Sequence, residues 1–239
     1  DLDTTNWRDI GPTLRYAPID GKIGETTFTF QAAHWTTKTS GFTGLVLLGI
    51  QAVTGIVTVT SATGTVLYTA TRTFGNDRFN YVSDEYVLSN WALTDLPSDP
   101  TALVHITLLG NLAVTAGWSA VVGLSEMMFG YVADIGDTQY GARVGIIDSS
   151  RKETDEFGQT TLVQRDFSRR MSAEVMVDKA DIPKIYNLLS DFRATPCVFV
   201  GDESADYSPT IIYGWVEDFD VVIQYPTQSM LSINIKGLT

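Results

Sequence analysis

Residues Gly55–Phe74 read GIVTVTSATGTVLYTATRTF. Runs rich in Val, Ile, Tyr and Thr flank the small, Gly-containing segment Ser61–Gly64, and this pattern is typical of a β-hairpin. Short runs of the same kind recur as far as Leu124, and no amphipathic helical period occurs before residue 125. Short strands joined by Gly-rich turns predict that residues 1–125 form a β-sandwich or a jelly roll.

The period of the apolar residues changes in the C-terminal half. The segment Asp181–Arg193, DIPKIYNLLSDFR, repeats apolar residues at helical spacing and has Pro183 in its first turn. Strand-like runs precede and follow it, and the last of them, MLSINIKGL, alternates apolar and polar residues. We therefore predict that residues 126–239 form a β-barrel or sandwich domain with one packed α-helix at about 181–193. The boundary between the domains is expected near Ser125 to Gly136.

The composition argues against several kinds of partner. The chain has 28 acidic and 16 basic residues, and its net charge is −12. Nucleic-acid binding is not expected, because it needs clustered cations that neutralise phosphates. Membrane insertion is not expected either, since the longest apolar stretch, Leu112–Leu124, is short and interrupted. The single cysteine, Cys197, leaves no intrachain disulfide and no Cys-based zinc site.

Motifs for catalysis and for metal binding are missing from the sequence. It contains no Gly-x-Ser-x-Gly elbow and no phosphate-binding Gly loop. His105 lies in the run LVHITLL and is predicted to be a strand histidine. Asp202, Glu203 and Asp206 form a loose acidic loop without the spacing of a calcium loop. We predict no catalytic, cofactor-binding or metal-binding residue, and we do not expect an enzyme.

One tryptophan is a candidate for sugar binding. Exposed aromatic rings stack on pyranose faces, and Trp91 lies in the loop-like segment LSNWALTDLP. Trp91 is therefore the candidate glycan contact of the N-terminal domain.

The stretch DSSRKETDEFG, Asp148–Gly158, is the most densely charged part of the chain. It lies between the strand-like runs VGII and TTLV, so it is predicted to be a long hairpin connection. One interpretation is a solvated loop, and the other is an arm that contacts a second subunit. In the second interpretation the cations contact the acidic surface of a neighbour, and the carboxylates contact arginines of another copy. The candidate contact residues are Arg151, Lys152, Glu153, Asp155, Glu156, Arg165, Arg169 and Arg170. A β-bulge or twist is expected near Arg165, where the apolar alternation is imperfect.

Three segments resemble segments of one protein family, in the same order along the chain. They are NWRDIGPTLRYAPIDG at Asn6–Gly21, the run from Tyr140 to Val175 that contains DSSRKETDEFG, and the ending, which includes FRATPCVF and IIYGWVEDFDVVIQYPTQSMLSINIKGL. They resemble tail proteins of long-tailed bacteriophages and prophages, of the distal-tail type. Proteins of this type lie in the tail tip or baseplate, where the tail tube ends and the host-recognition parts attach.

The resemblance implies a structural role. It implies that copies of the chain form a ring, that the ring contacts tube and hub proteins, and that the protein is part of the virion tail tip after assembly in the host cytoplasm. Residues 126–239 would then be the ring-forming domain. The alternative is a lectin-like carbohydrate-binding module that recognises a host surface glycan during adsorption.

Overall fold

The computed structural model describes residues 42–50, 52–74, 89–110, 122–154, 157, 159–223 and 225–238 of the chain, with only the backbone at 205–206. It also describes the backbone of five strands at 8–9, 15–16, 25–31, 79–80 and 85–86. The protein is mainly β with one α-helix in the described part, and this prediction is confirmed. Chain packing divides it into two units, residues 1–132 and residues 133–239.

The first unit consists of antiparallel strands. One sheet has the order β3-β10-β5-β6, a second has the order β12-β4-β9, a third has the order β1-β2-β11, and β7 pairs with β8. The strands are β1 (Arg8–Asp9), β2 (Arg15–Tyr16), β3 (Glu25–Gln31), β4 (Gly44–Ile50), β5 (Thr54–Thr60), β6 (Val66–Thr73), β7 (Phe79–Asn80), β8 (Glu85–Tyr86), β9 (Ser89–Leu93), β10 (Leu103–Leu109), β11 (Gly123–Leu124) and β12 (Glu126–Gly130).

The predicted hairpin is formed by β5 and β6. Its turn is closed by two hydrogen bonds, from Ser61 N to Thr65 O at 2.8 Å and from Gly64 N to Ser61 O at 2.9 Å. Gly64 has φ +84°, a conformation that glycine adopts without the steric cost of a Cβ. The alternation of β5 puts Val57 and Val59 in the core, where they cluster with apolar residues of β4, β9 and β10.

The first unit extends beyond residue 125. Strand β12 pairs antiparallel with β4 from Glu126↔Leu48 to Gly130↔Gly44. The backbone N–H of Val132 then donates to Thr43 Oγ1 at 3.0 Å. The division after Val132 lies within the interval Ser125 to Gly136, and it is later than 125/126 because residues 126–130 complete a sheet of the first unit.

The second unit is built on one curled half-barrel sheet. Its strand order is β13-β17-β20-β19-β18, and β14 also pairs with β17. The elements are β13 (Asp137–Thr138), β14 (Arg143–Asp148), β15 (Arg151–Thr154), β16 (Thr160–Val163), β17 (Phe167–Asp178), α1 (Ile182–Asp191), β18 (Cys197–Val200), a 3-10 helix (Ala205–Thr210), β19 (Ile211–Val222) and β20 (Gln228–Gly237).

Helix α1 covers the core face of this sheet. Ile185 and Leu189 are buried in one cluster with alternate residues of β17 and β20. The alternation predicted for the last strand is confirmed, since Leu231, Ile233 and Ile235 are all buried. The predicted helix is confirmed as well, and it begins with Pro in its first turn. The described residues contain no helix that is long and apolar enough to cross a bilayer.

The predicted bulge near Arg165 is wrong. The chain leaves one strand, β16, at Val163 and starts another, β17, at Phe167. The pairing of β17 with β14 has an unbroken register from Asp148↔Phe167 to Arg143↔Ser172. A bulge occurs instead in β19, where the register with β20 shifts between Val216 and Asp218.

Candidate functional site

The charged stretch forms most of a projecting two-stranded hairpin. Strand β15 pairs with β16 from Arg151↔Val163 to Thr154↔Thr160, and neither strand pairs with another described strand. We call residues 151–163 the arm. The predicted hairpin between VGII and TTLV is therefore corrected: VGII belongs to β14, which pairs with β17, whereas TTLV pairs with the charged stretch itself.

The two faces of the arm are both open to solvent. On one face Arg151 Nε lies 2.9 Å from Glu153 Oε1, and both side chains are more than half exposed. On the other face Lys152 lies opposite Leu162, and Thr154 Oγ1 lies 3.1 Å from Thr160 Oγ1. A two-stranded hairpin alone in water is marginally stable, because it buries little apolar surface. The pairing of the arm therefore contributes little stability by itself.

Large apolar side chains accompany these charges. Phe157 is 89% exposed and Leu162 is 73% exposed. Asp155, Glu156 and Gly158 lie outside the described residues, so the predicted contacts of the two carboxylates are not located. Phe157 was not predicted as a contact residue, although an aromatic residue within a run of charges is a signal that the sequence contains. Exposed large apolar groups next to polar residues are typical of protein-protein contact sites.

The base of the arm is fixed by short hydrogen bonds. Ser150 N donates to Asp148 Oδ1 at 2.8 Å, and Arg165 N donates to Ser150 Oγ at 3.0 Å. The side chain of Ser150 and then its backbone N–H lower the pKa of Asp148. These bonds hold the point at which the arm leaves the sheet, while the side chain of Arg165 stays exposed.

The structure separates two arginines that the sequence grouped together. Arg170 is exposed and lies on the outer face of the sheet. The paired Gly145 faces the same way, since a Cβ added there would lie 3.2 Å from Arg170 Nε. Arg169 lies on the opposite face of β17, the face that also carries the buried Met171. The guanidinium of Arg169 forms no ion pair or hydrogen bond with another described side chain, and burial lowers its pKa. The two residues cannot contact a neighbour through the same face.

Arg169 borders an exposed apolar strip. Ile146 is its partner in the register of β14, and Val144 is the partner of Met171. Val144, Ile146 and Phe167 are 41%, 56% and 51% exposed. We call these three residues the apolar strip. It continues the core face of the sheet onto β14, whose second edge pairs with no other described strand. Unpaired strand edges and exposed apolar side chains are sites where another chain can add.

Trp91 is not placed for stacking on a sugar, and this prediction is corrected. It lies in β9 rather than in a loop, and its side chain is 4% exposed. Its ring packs edge-on against Phe74, with 5.8 Å between the centroids. Trp91 is a core residue of the first unit: all five residues of β9 are buried, and Trp91 belongs to one cluster with apolar residues of β4, β5 and β10.

The remaining polar candidates have structural roles where the structure describes them. His105 is in β10, and its Nε2 lies 3.2 Å from Thr60 Oγ1, so the predicted strand position is confirmed. Asp202 Oδ1 accepts hydrogen bonds from the hydroxyl and backbone N–H of Ser204. Within the described residues no three His, Cys, Asp or Glu side chains form a group that could hold a metal ion. The side chain of Asp206 lies outside the described residues.

Comparison with known proteins adds no assignment. The chain matches no family model, and no curated protein and no solved structure is significantly similar to it. The arm, its base and the apolar strip are therefore interpreted from their own geometry and chemistry.

Proposed function

We propose that this protein is a structural subunit of a bacteriophage tail tip or baseplate. Copies of the chain form a ring at the end of the tail tube, and the ring links the tube to host-recognition parts. The observation that carries the proposal is the arm, which exposes charged and apolar side chains to solvent beside the sheet of the second unit. The resemblance of three sequence segments to distal-tail-type proteins gives the arm its context.

The finer architecture belongs to the same proposal. The first unit is a β-sandwich of the jelly-roll type, and the second is a β-barrel or sandwich domain that forms the ring. Support for the sandwich comes from the shared core of the first unit, in which Val57 and Ile106 of one sheet cluster with Leu45 and Trp91 of another. Support for the ring domain comes from the arm and the apolar strip, which both belong to the second unit.

The proposed partners are other copies of the chain and the tube and hub proteins. The proposed location is the virion tail tip, after assembly in the host cytoplasm. A carbohydrate-binding role depended on Trp91, and the burial of that residue leaves the alternative without its contact. No reaction centre is needed for the proposed role, because a ring subunit acts through rigid domains and specific surfaces.

Charge reversal on the arm tests the proposal. We expect the double variant Arg151→Glu/Lys152→Glu to weaken self-association at least tenfold, measured by mass photometry and sedimentation velocity on the full chain. The fold should remain intact, because the Arg151–Glu153 pair is exposed and such pairs contribute about 0–1 kcal/mol.

The matched control is Lys179→Glu/Lys184→Glu, which makes the same change in net charge at two exposed positions outside the arm. This control should assemble like the wild type. Equal assembly of the arm variant and the control would contradict the role of the arm, and a wild-type chain that stays monomeric at high concentration and with tail proteins would contradict the proposed function.

A further inference from the structure

We propose that the arm of one copy docks on the apolar strip of the next copy, with Phe157 against Ile146 and an arm carboxylate on Arg169. The inference rests on the proposed self-assembly and names the surface that receives the arm. The occupant is therefore a second copy of this chain. In a ring this contact is heterologous, with the tip of one subunit on the sheet edge of the next.

The first argument is the match of chemistry between the two surfaces. The arm offers an exposed aromatic ring, Phe157, four residues after the exposed carboxylate of Glu153. The strip offers exposed aliphatic and aromatic side chains beside the guanidinium of Arg169. Interface hot spots are typically an aromatic or arginine anchor that becomes desolvated within an apolar surround. The ring and carboxylate of the arm would meet an apolar surface and a cation on the strip.

The second argument is the charge of the chain. Two copies that each carry −12 repel one another, so a stable contact must bring carboxylates of one copy to cations of the other. Among the described residues of the same chain, no carboxylate forms an ion pair with Arg169. The nearest acidic residue in the strand register is Asp148, whose Oδ1 accepts the hydrogen bond from Ser150 N. A carboxylate from another subunit would supply the missing partner.

The third argument is that the β15–β16 ladder lies between Phe157 and this site within one subunit. The β15–β16 ladder runs from Arg151↔Val163 to Thr154↔Thr160, and each strand residue advances about 3.4 Å. Phe157 follows the far end of this ladder, whereas the strip begins at the near end, where β14 and β17 join the arm. Contact within one chain would require the hairpin to fold back at its base, where Ser150 N donates to Asp148 Oδ1 and Arg165 N donates to Ser150 Oγ. A contact in trans keeps the ladder intact.

The geometry has a consequence for the assembly. A heterologous contact leaves one free arm and one free strip on every dimer, so association continues until a ring closes or a filament grows. An arm-to-arm contact, or a reciprocal exchange of arms between two copies, would instead stop at a dimer. The inference therefore predicts closed or extended assemblies rather than a two-fold dimer.

Paired variants on opposite faces of β17 provide the test. We expect Arg169→Ala to weaken self-association of the full chain at least tenfold in sedimentation velocity. Arg170→Ala removes the same side chain from the outer face and should leave association within twofold of the wild type. On the arm, we expect Phe157→Ala to weaken association about thirtyfold, the effect of a typical hot-spot residue. Phe192→Ala, which removes another exposed ring, is its control.

Cross-linking distinguishes the direction of the contact. Gln159→Cys on the arm and Val144→Cys on the strip keep both anchors, and a short bismaleimide joins thiols that lie close together. Mixing the two single variants should give covalent dimers, whereas Gln159→Cys alone should not, with treated wild type as the control for Cys197. Covalent dimers from Gln159→Cys alone would overturn the proposal in favour of arm-to-arm contact.

The outcomes separate this inference from the proposed function. Wild-type assembly that is unchanged by both Arg169→Ala and Phe157→Ala overturns the docking site and leaves the structural role in place. A wild-type chain that stays monomeric at all concentrations and with tail proteins overturns both. Circular dichroism of each variant shows whether its fold is retained, and the cross-links report the contact without removing an anchor residue.

Discussion

Replacement of Trp91 by Ala should unfold the first unit at a much lower temperature. The ring is 4% exposed and packs edge-on against Phe74. It also lies directly over Gly55, where a Cβ would come within 2.8 Å of Trp91 Cζ3. The substitution removes all of these contacts at once and leaves a cavity that the two neighbouring sheets cannot fill.

The magnitude follows from the size of the unit. Truncation of a buried Phe or Trp to Ala costs about 3–5 kcal/mol. The first unit has 132 residues, so its unfolding entropy is about 0.28 kcal/mol/K at roughly 2.1 cal/mol/K per residue. The quotient predicts that Tm falls by about 10–20 °C. Trp91→Phe keeps a ring in the core and should lower Tm by less.

Differential scanning calorimetry of the full chain measures the effect. Ile233→Ala, in the core of the second unit, identifies the transition that belongs to that unit. Trp91→Ala should shift the other transition. A Tm within about 3 °C of the wild type would refute the core assignment and return Trp91 to the set of accessible aromatic residues.

Two further predictions concern the second unit. Gly214→Ala should destabilise it by at least about 1–3 kcal/mol in denaturant unfolding, because the new Cβ would lie 2.1 Å from Lys236 O, whereas Gly130→Ala has open space and should be nearly neutral; similar losses for both would contradict this account. Ser204→Ala should raise the pKa of Asp202 part of the way to its ordinary value, because the variant loses the hydroxyl that lowers this pKa most and keeps the backbone N–H. A carboxyl whose pKa is depressed in the folded state stabilises the fold at pH values above its unfolded pKa, and this stabilisation is lost as the pH falls through the folded pKa. The wild type should therefore lose its advantage over Ser204→Ala below about pH 4. An unchanged Asp202 pKa in an NMR titration would show that Ser204 does not hold this carboxylate.

The spacing of apolar residues was sufficient to predict the elements that have one buried and one exposed side. The alternation in β20 and the helical spacing in α1 both arise because one side packs on a core, and the structure confirms both. The hairpin at Ser61–Gly64 was also predictable, because only a residue that tolerates positive φ closes such a turn easily. These signals are local and are fully present in the sequence.

The features that the sequence analysis misplaced depend on which strands pair with each other. Trp91 lies in a segment with turn-like neighbours, but pairing of β9 with β4 makes it a strand and buries it. VGII and TTLV look like the two strands of one hairpin, but VGII pairs instead with the distant strand β17. The opposite faces of Arg169 and Arg170 follow from the strand alternation, but the apolar strip beside Arg169 appears only when β14 is placed next to β17. Non-local pairing is what a single sequence specifies least directly.

Hydrogen exchange on the full chain at two concentrations tests the central claim most directly. The backbone amides of β15 and β16, and those of β14 that face away from β17, should exchange quickly in dilute protein, where the arm is free, and slowly in concentrated protein, where it lies on a neighbour. The amides of β20, which are paired within the sheet, should be slow at both concentrations. Assembly in which the arm and the outward edge of β14 exchange as fast as in the dilute protein would contradict the account.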